Sequence, residues 1–291
     1  MIYNRLLPRV LKLFIAVLVL APTFSNAAEF TFTAIPDQDT ARLQQRFSKI
    51  AEYLSKQLGF NVTYVPVKSY AASVQGFKNN EVQMAWFGGL SGVQARLAVP
   101  GSVAIAQGEE DEHFVTYFIA HHSTGLQNST GLPKEIAGKT FTFGSKGSTS
   151  GRLMPEYYIR KHFGKPPEDV FSKVGFSGDH SKTIALVQSG SYLLGAVNFK
   201  VWEKELAEGN IDTAKVSVIW QTPEYPDYNW TVRGDVDEVY GEGTTEKIQK
   251  ALISITDPEL LDAFPRKSFI ATDNSKYQPI LDTGKAIGIF R

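Results

Sequence analysis

The sequence predicts an α/β fold of two lobes. Strand-like and helix-like segments alternate in two separate series, and two long extended stretches, at roughly 112–121 and 216–222, stand between them. Composition agrees: 43% hydrophobic and 21% charged residues suit a packed globular interior and exclude a disordered or collagen-like chain. The chain would visit the lobes in the order one, two, one, so that the extended stretches cross between them and leave a hinged cleft. Residues 28–115 and 221–291 are assigned to lobe one and 116–220 to lobe two. One continuous α/β domain is the alternative.

The first series begins with Phe30 to Ile35, rich in aromatic and β-branched residues and ended by Pro36. Asp39 or Thr40 then caps a helix whose apolar positions Leu43, Phe47, Ile50, Leu54 and Leu58 keep a 3.6-residue period up to Gly59. Asn61 to Val67 is the next strand, Ser69 to Phe77 a short helix, and Val82 to Phe87 a buried strand running into Gly88-Gly89. A helix over Ser91 to Ala98 and a strand over Val103 to Gln107 complete the series. Repeats of this βαβ kind predict largely parallel sheets.

The second series opens with Phe114 to His121. Strands follow at Lys139 to Phe143, Val170 to Phe176 and Gly195 to Asn198. Helices alternate with them at Ser150 to His162, Lys182 to Ser189 and Lys200 to Ala207. Val216 to Gln221 runs extended again. Helices are then expected over Asp235 to Ile255, Pro258 to Ala263 and Tyr277 to Gly288.

Residues 1–27 stand outside this fold. Arg5, Arg9 and Lys12 precede an apolar run from Leu13 to Pro22, and Ser25-Asn26-Ala27 supplies small residues for cleavage. That order is a secretory signal peptide, and the run is shorter than the ~20 residues of a membrane span. An uncleaved anchor is the alternative. The leader holds three of 30 basic residues and none of 30 acidic ones, so its removal leaves a net charge of −3. A mildly acidic chain with no basic block is not built for nucleic acid. Zero cysteine excludes thiol catalysis, disulfides and Cys-based metal sites. No cofactor or metal is expected, and the exported protein is expected to be a soluble monomer.

Chemistry concentrates in Gly144-Ser145-Lys146-Gly147-Ser148-Thr149-Ser150-Gly151, between a strand and a helix. Ligands of open sheets bind at the carboxyl ends of strands. Ser148, Thr149 and Ser150 are good N-cap residues, and the first-turn N–H groups of a helix have no internal partners. Free N–H groups, hydroxyls and the positive helix end together favour an anion. Gly147 and Gly151 would let the backbone approach a ligand closely. The segment is not a P-loop, because Arg152-Leu153 follow the last Gly, nor a nucleophile elbow, because Thr149 is central. An ordinary N-cap on a loop is the plain alternative.

These residues, with Pro155-x-Tyr157-Tyr158 after them, resemble the binding signature of phosphate/phosphite/phosphonate-type (PhnD-like) ABC transporter substrate-binding proteins, and within that group the selenate-binding components. Met84 to Gly88, Phe176 to His180 and Thr222 to Tyr228 resemble three further family segments. The resemblance spans the mature chain. It implies a type II periplasmic-binding-protein fold that captures a small oxyanion (phosphonate, phosphite, phosphate or selenate) in the periplasm and delivers it to an inner-membrane permease, without catalysis. Carried over by position, Ser148, Thr149 and Ser150 would bind the anion, joined by Tyr70 and His180. Trp86, Phe87 and Gly88 would form the cleft wall, and Tyr117 would lie near the hinge. Where many members have an acid facing an amine, this chain reads Gly190 to Ala196, which argues against an aminophosphonate.

Other readings were weighed. An exported hydrolase using Ser148 or Ser150 lacks a recognisable triad, and a receptor for a small organic ligand is the rival binding function. Adjacent His121-His122 cannot present both rings on one strand face. Tyr225, Pro226, Tyr228 and Trp230 suggest packing of the returning chain, Trp202 and Trp220 core, and Glu109 to Glu112 a solvated loop. A donor-only pocket would take fully ionised tetrahedra, whereas an acceptor would select a protonated one.

Overall fold

The computed structural model describes residues 29–262 and 264–290; the expected leader lies outside them. In the first lobe β1 (Phe30–Ala34), β2 (Val62–Tyr64), β3 (Met84–Phe87) and β4 (Val103–Gly108) alternate with α1 (Thr40–Leu58), α2 (Tyr70–Lys78) and α3 (Gly89–Ala98). The second lobe opens with β5 (Thr116–His121) and β6 (Thr140–Phe143), then α4 (Met154–Phe163), α5 (Pro167–Val170) and β7 (Lys173–Phe176). It ends with α6 (His180–Gln188), β8 (Leu194–Asn198), α7 (Phe199–Ala207) and β9 (Val216–Gln221). The chain returns through β10 (Asn229–Val232), α8 (Val236–Tyr240), α9 (Thr244–Ile253), α10 (Pro258–Asp262), β11 (Phe269–Ala271) and α11 (Gln278–Ala286).

Local chemistry sets the boundaries. Asp39 accepts from the N–H groups of Ala41 and Arg42 at the head of α1, and Gly59, in the left-handed region at φ 77°, ends it. The single helix expected over 235–255 is instead α8 and α9, because Gly241 and Gly243 take φ of 104° and 81° between them.

Two sheets result, ordered β11-β4-β10-β3-β1-β2 and β7-β6-β8-β5-β9. They are mixed rather than largely parallel. β1 pairs in parallel with β2 and β3, and β6 with β7 and β8, as the βαβ repeats require. The crossing strands arrive from the opposite end, so β10 runs antiparallel between β3 and β4, and β5 runs antiparallel to β8 and β9. β10 and β11 had not been expected as strands.

The crossing segments bond to each other. Phe114 and Tyr225 exchange both backbone hydrogen bonds at 3.0 Å, and the Asp227 N–H donates to the Asp111 carbonyl at 3.0 Å. Glu109–His113 is a tight turn rather than a solvated loop. Its Asp111 is fully buried and holds the Arg266 guanidinium by two bonds of 2.9 and 2.7 Å.

The lobes touch along the cleft. Leu153 and Met154, at the head of α4, are buried in the apolar core of the first lobe. Each such side chain contributes roughly 1.5–3 kcal/mol when withdrawn from water. Arg42–Glu208 (2.8 Å) and Lys204–Asp262 (3.0 Å) also span the lobes, but half-exposed pairs contribute about 0–1 kcal/mol each. Apolar contact therefore outweighs these surface pairs.

Candidate functional site

The carboxyl ends of β1, β2, β3, β6, β7 and β8 all point into the gap between the lobes. Asp37 follows β1, Tyr70 opens the helix after β2, Gly88 follows β3, and Ser148 to Gly151 follow β6. His180 opens the helix after β7, and Asn198 ends β8. Ligand sites of α/β sheets form where strands end in this way.

The hydroxyl-rich loop enters α4 through a wide π turn, Thr149–Leu153, in which Leu153 N–H bonds the Ser148 carbonyl. Such turns recur at functional sites. Ser148 Oγ accepts from Gly151 N–H at 2.9 Å, leaving its own O–H to donate elsewhere. The N–H groups of Thr149 and Ser150 make no backbone bond. Thr149 differs from expectation: its hydroxyl accepts from Leu90 N–H at 3.0 Å, at the head of α3 in the other lobe, and lies beside the Asp227 carboxylate. It joins lobes instead of projecting a free hydroxyl.

The glycines act on the protein. A Cβ on Gly151 would stand 3.1 Å from Gly144 Cα and 3.1 Å from His180 Cε1, so a side chain there would displace the imidazole. A Cβ on Gly147 would stand 3.0 Å from Tyr70 Cβ. These positions let neighbouring side chains approach the loop closely.

His180 is the first residue of α6, behind Asp179, and is buried. Burial lowers its pKa to about 3, so the ring is neutral. Nδ1 accepts from Asn198 N–H at 3.3 Å, which puts the ring proton on Nε2. Nε2 has no hydrogen-bond partner in the protein. Nor do three other buried groups: Tyr70 Oη, Ser150 Oγ and Asp227 Oδ2. Burying a polar group unpaired costs about 1–3 kcal/mol, so four around one loop mark a place where something else is meant to bond.

Among the described residues, the cations near the loop are engaged elsewhere, and the loop's own Lys146 is exposed and lies over Phe176. Arg152 turns away to pair with Glu156 and lie over Phe143 and Phe176. Arg266 is occupied by Asp111 and by the Phe264 carbonyl. Two carboxyls do face the cleft. Burial, partly offset by the Tyr228 hydroxyl, raises Asp37 to about 6. Burial likewise raises Asp227 to about 7, against the Thr149 hydroxyl and the Gly89 N–H that donates to Oδ1 at 2.8 Å. Among the described residues, no group of three His, Asp or Glu is placed to hold a metal.

A family model for the periplasmic substrate-binding protein of ABC phosphonate transporters matches residues 32–277. The chain belongs to this phosphonate-binding family. It is 40% identical over 286 residues to a Prochlorococcus marinus protein described as "Probable ABC transporter phosphite binding protein PhnD1", covering 93% of this chain and 94% of that one. The structure of PhnD1 in complex with methylphosphonate superposes with a TM-score of 0.86 at 38% identity, covering 91% of this chain and all of that one. A binding component of a Pseudomonas aeruginosa ABC phosphonate transporter, at 20% identity and a TM-score of 0.75, covers 87% of this chain and 84% of its own. The type II periplasmic-binding-protein fold is therefore established, and the family is periplasmic.

In this binding protein, Ser148, Thr149, Ser150, Tyr70, His180 and Gly88 come together at one place. Trp86 borders it, stacked on Tyr228 at 5.4 Å beside a pocket of about 10 Å³ shared with Asp37 and Asn198. Phe87 does not join: strand alternation turns it to the other face of β3, against Phe77. Tyr117 does not join either. Its neighbour Thr116 faces the loop, so Tyr117 faces outward and lines an open groove of about 830 Å³ with Trp202 and Trp220. Sequence reasoning missed Asp37, Thr116, Asn198, Asp227 and Tyr228. Two of these, Asp37 and Asn198, lie at or just past the carboxyl ends of β1 and β8, where the signal that marks the loop after β6 also holds.

Proposed function

We propose that this protein captures a small phosphorus oxyanion bearing a proton, of the phosphite or short alkylphosphonate class, between its lobes and delivers it to an inner-membrane permease. The carrying observation is the set of four buried, unpartnered polar atoms. Tyr70 Oη, Ser150 Oγ and His180 Nε2 are donors, and Asp227 Oδ2 is an acceptor or, when protonated, a donor. With the Thr149 and Ser150 N–H groups they suit an anion held chiefly by dipoles. The acceptor supports a protonated ligand over selenate or sulfate, which bring no proton. The phosphite and methylphosphonate named for PhnD1 are consistent with this class.

An aminophosphonate is less well served. The acid absent from 190–196 has counterparts in Asp37 and Asp227, but Asp37 is taken up by Tyr228 at 2.9 Å. A binding role also suits His180 better than hydrolysis does, because an imidazole with a pKa of about 3 is a poor base for Ser148 or Ser150. In this reading residues 28–115 with 221–291 form one moving body and 116–220 the other, and a monomer suffices because one chain supplies every ligand-facing group.

The test is a melting-temperature survey with phosphite, methylphosphonate, phosphate, sulfate and selenate. A true ligand at a hundredfold its Kd stabilises by about 2.7 kcal/mol, which is readily seen. Phosphite or methylphosphonate should raise the melting temperature most. A shift equal or greater with sulfate or selenate would refute the proposal.

A further inference from the structure

We propose that the return segment 225–228 couples the grip on the anion to closure of the lobes, with the Tyr228 hydroxyl as the coupling group. This rests on the anion-binding reading above. Four hydrogen bonds form a closed ring across the lobes. Tyr228 Oη donates to Asp37 Oδ2 at 2.9 Å, and Asn198 Nδ2 donates to Tyr228 Oη at 2.9 Å. Asn198 N–H donates to His180 Nδ1 at 3.3 Å, and His180 N–H donates to the Asp37 carbonyl at 3.0 Å. Asp37 belongs to the first lobe, His180 and Asn198 to the second, and Tyr228 to the end of the crossing segment. All four are buried. Asn198 N–H holds the imidazole so that Nε2–H is the free donor, and opening the lobes must break the two bonds that cross, Asn198 to Tyr228 and His180 N–H to Asp37.

The rest of the segment reaches the other two ligand-facing tips. Tyr225 Oη meets Thr116 Oγ1 at 2.6 Å, and Thr116 Oγ1 donates to the Ser150 carbonyl at 3.0 Å, so the tyrosine supplies the proton of the shorter bond. Asp227 accepts from Gly89 N–H at the head of α3. One four-residue stretch thus registers the head of α3, the hydroxyl loop and the α6 tip against the hinge. Tyr228 is a positioning residue: it acts on the ligand through Asn198 and His180.

Tyr228→Phe keeps the ring stacked on Trp86 and removes only the hydroxyl. Asn198→Ser removes the Nδ2 donor while leaving an oxygen to cap α7, where Asn198 now accepts from Lys200 and Val201 N–H. The chain has no cysteine, so Leu206→Cys on the second lobe and Val239→Cys on the first, both exposed, give a specific pair of spin labels. Binding of phosphite and methylphosphonate is measured on protein shown to be folded by circular dichroism, with the interlobe distance recorded before and after ligand. Each variant should raise Kd about tenfold, mostly through faster dissociation, with incomplete ligand-induced shortening of the distance. The double variant should be little worse than either single one, because both break the same ring. A purely structural role would lower the melting temperature and leave Kd and closure of the folded protein unchanged, and that result would overturn the coupling while the anion reading stands. Wild-type protein that neither binds nor closes with either probe would overturn both.

Discussion

Replacing Asp227 by Asn isolates the one carboxyl that faces the ligand with a free oxygen. Oδ1 takes the Gly89 N–H at 2.8 Å, Oδ2 is unpartnered, and burial has raised the pKa to about 7. A fully ionised oxyanion such as selenate can be bound by two routes. If Asp227 stays ionised, its charge and the doubly charged anion about 4 Å away repel by about 8 kcal/mol at an effective dielectric of 20. If Asp227 takes a proton, the cost at pH 8 is one unit, about 1.4 kcal/mol, and nothing below pH 6. The cheaper route wins, so wild-type affinity for selenate should fall about tenfold per pH unit above 7 throughout the range to pH 9. In Asp227→Asn the amide oxygen keeps the Gly89 bond and Nδ2 faces the ligand as a permanent donor. Selenate affinity should then be flat with pH, exceeding wild type about tenfold at pH 8 and a hundredfold at pH 9. Isothermal titration calorimetry from pH 6 to 9 measures both proteins, and selenate is the clean probe because it has no proton to exchange in this range. An identical pH slope in wild type and variant would refute the assignment of that proton to Asp227.

Ser150→Ala should not lower the melting temperature of the ligand-free protein, since its hydroxyl makes no well-formed bond, while phosphite Kd rises tenfold or more; Ser148→Ala should also cost about 1 kcal/mol of stability by uncapping Gly151. Chemical denaturation across pH separates the buried groups. The folded pKa of His180 is depressed to about 3, so its contribution is present above pH 6.5 and lost as pH falls, by about 2 kcal/mol at pH 5. Asp37 and Asp227 are raised to about 6 and 7, so theirs is greatest below about pH 4 and declines as pH rises to 7. His180→Gln should therefore gain stability steadily from pH 7 to pH 5, and a profile matching wild type would count against the neutral buried ring. Gly151→Ala, with its Cβ 3.1 Å from Gly144 Cα, should destabilise by about 1–3 kcal/mol and weaken binding, as seen by thermal melts and calorimetry.

The alternation of strands and helices was legible because each βαβ unit is locally encoded: Asp39 starts a helix and Gly59 stops it whatever else the chain does. β10 was not legible. Asn229 to Val232 carries three aromatic or β-branched residues but is only four residues long, and it becomes a strand because β3 and β4 leave a slot for it. The hydroxyl loop was legible from residue type and place, yet the use of each hydroxyl was not. Thr149 and Ser150 look equivalent in sequence, and only the arrival of Leu90 from the other lobe separates them. Asp37 and Asp227 were invisible for the same reason. Their significance comes from burial against groups nearly two hundred residues away along the chain, as in the Tyr228 to Asp37 bond. On β5 a step of one residue reverses the face, so Thr116 meets the Ser150 carbonyl while Tyr117 lines the outer groove.

The central position of β10 also bears on how the molecule is made. The second lobe is one unbroken stretch of chain, but the first has a gap in its sheet between β3 and β4 until Trp230 pairs with Trp86. A ribosome or translocase delivering the polypeptide from its amino end supplies that piece late. The amino-terminal lobe must therefore wait, partly assembled, while the later-made lobe folds ahead of it, and truncation before residue 229 should leave a soluble second half attached to an aggregation-prone first one.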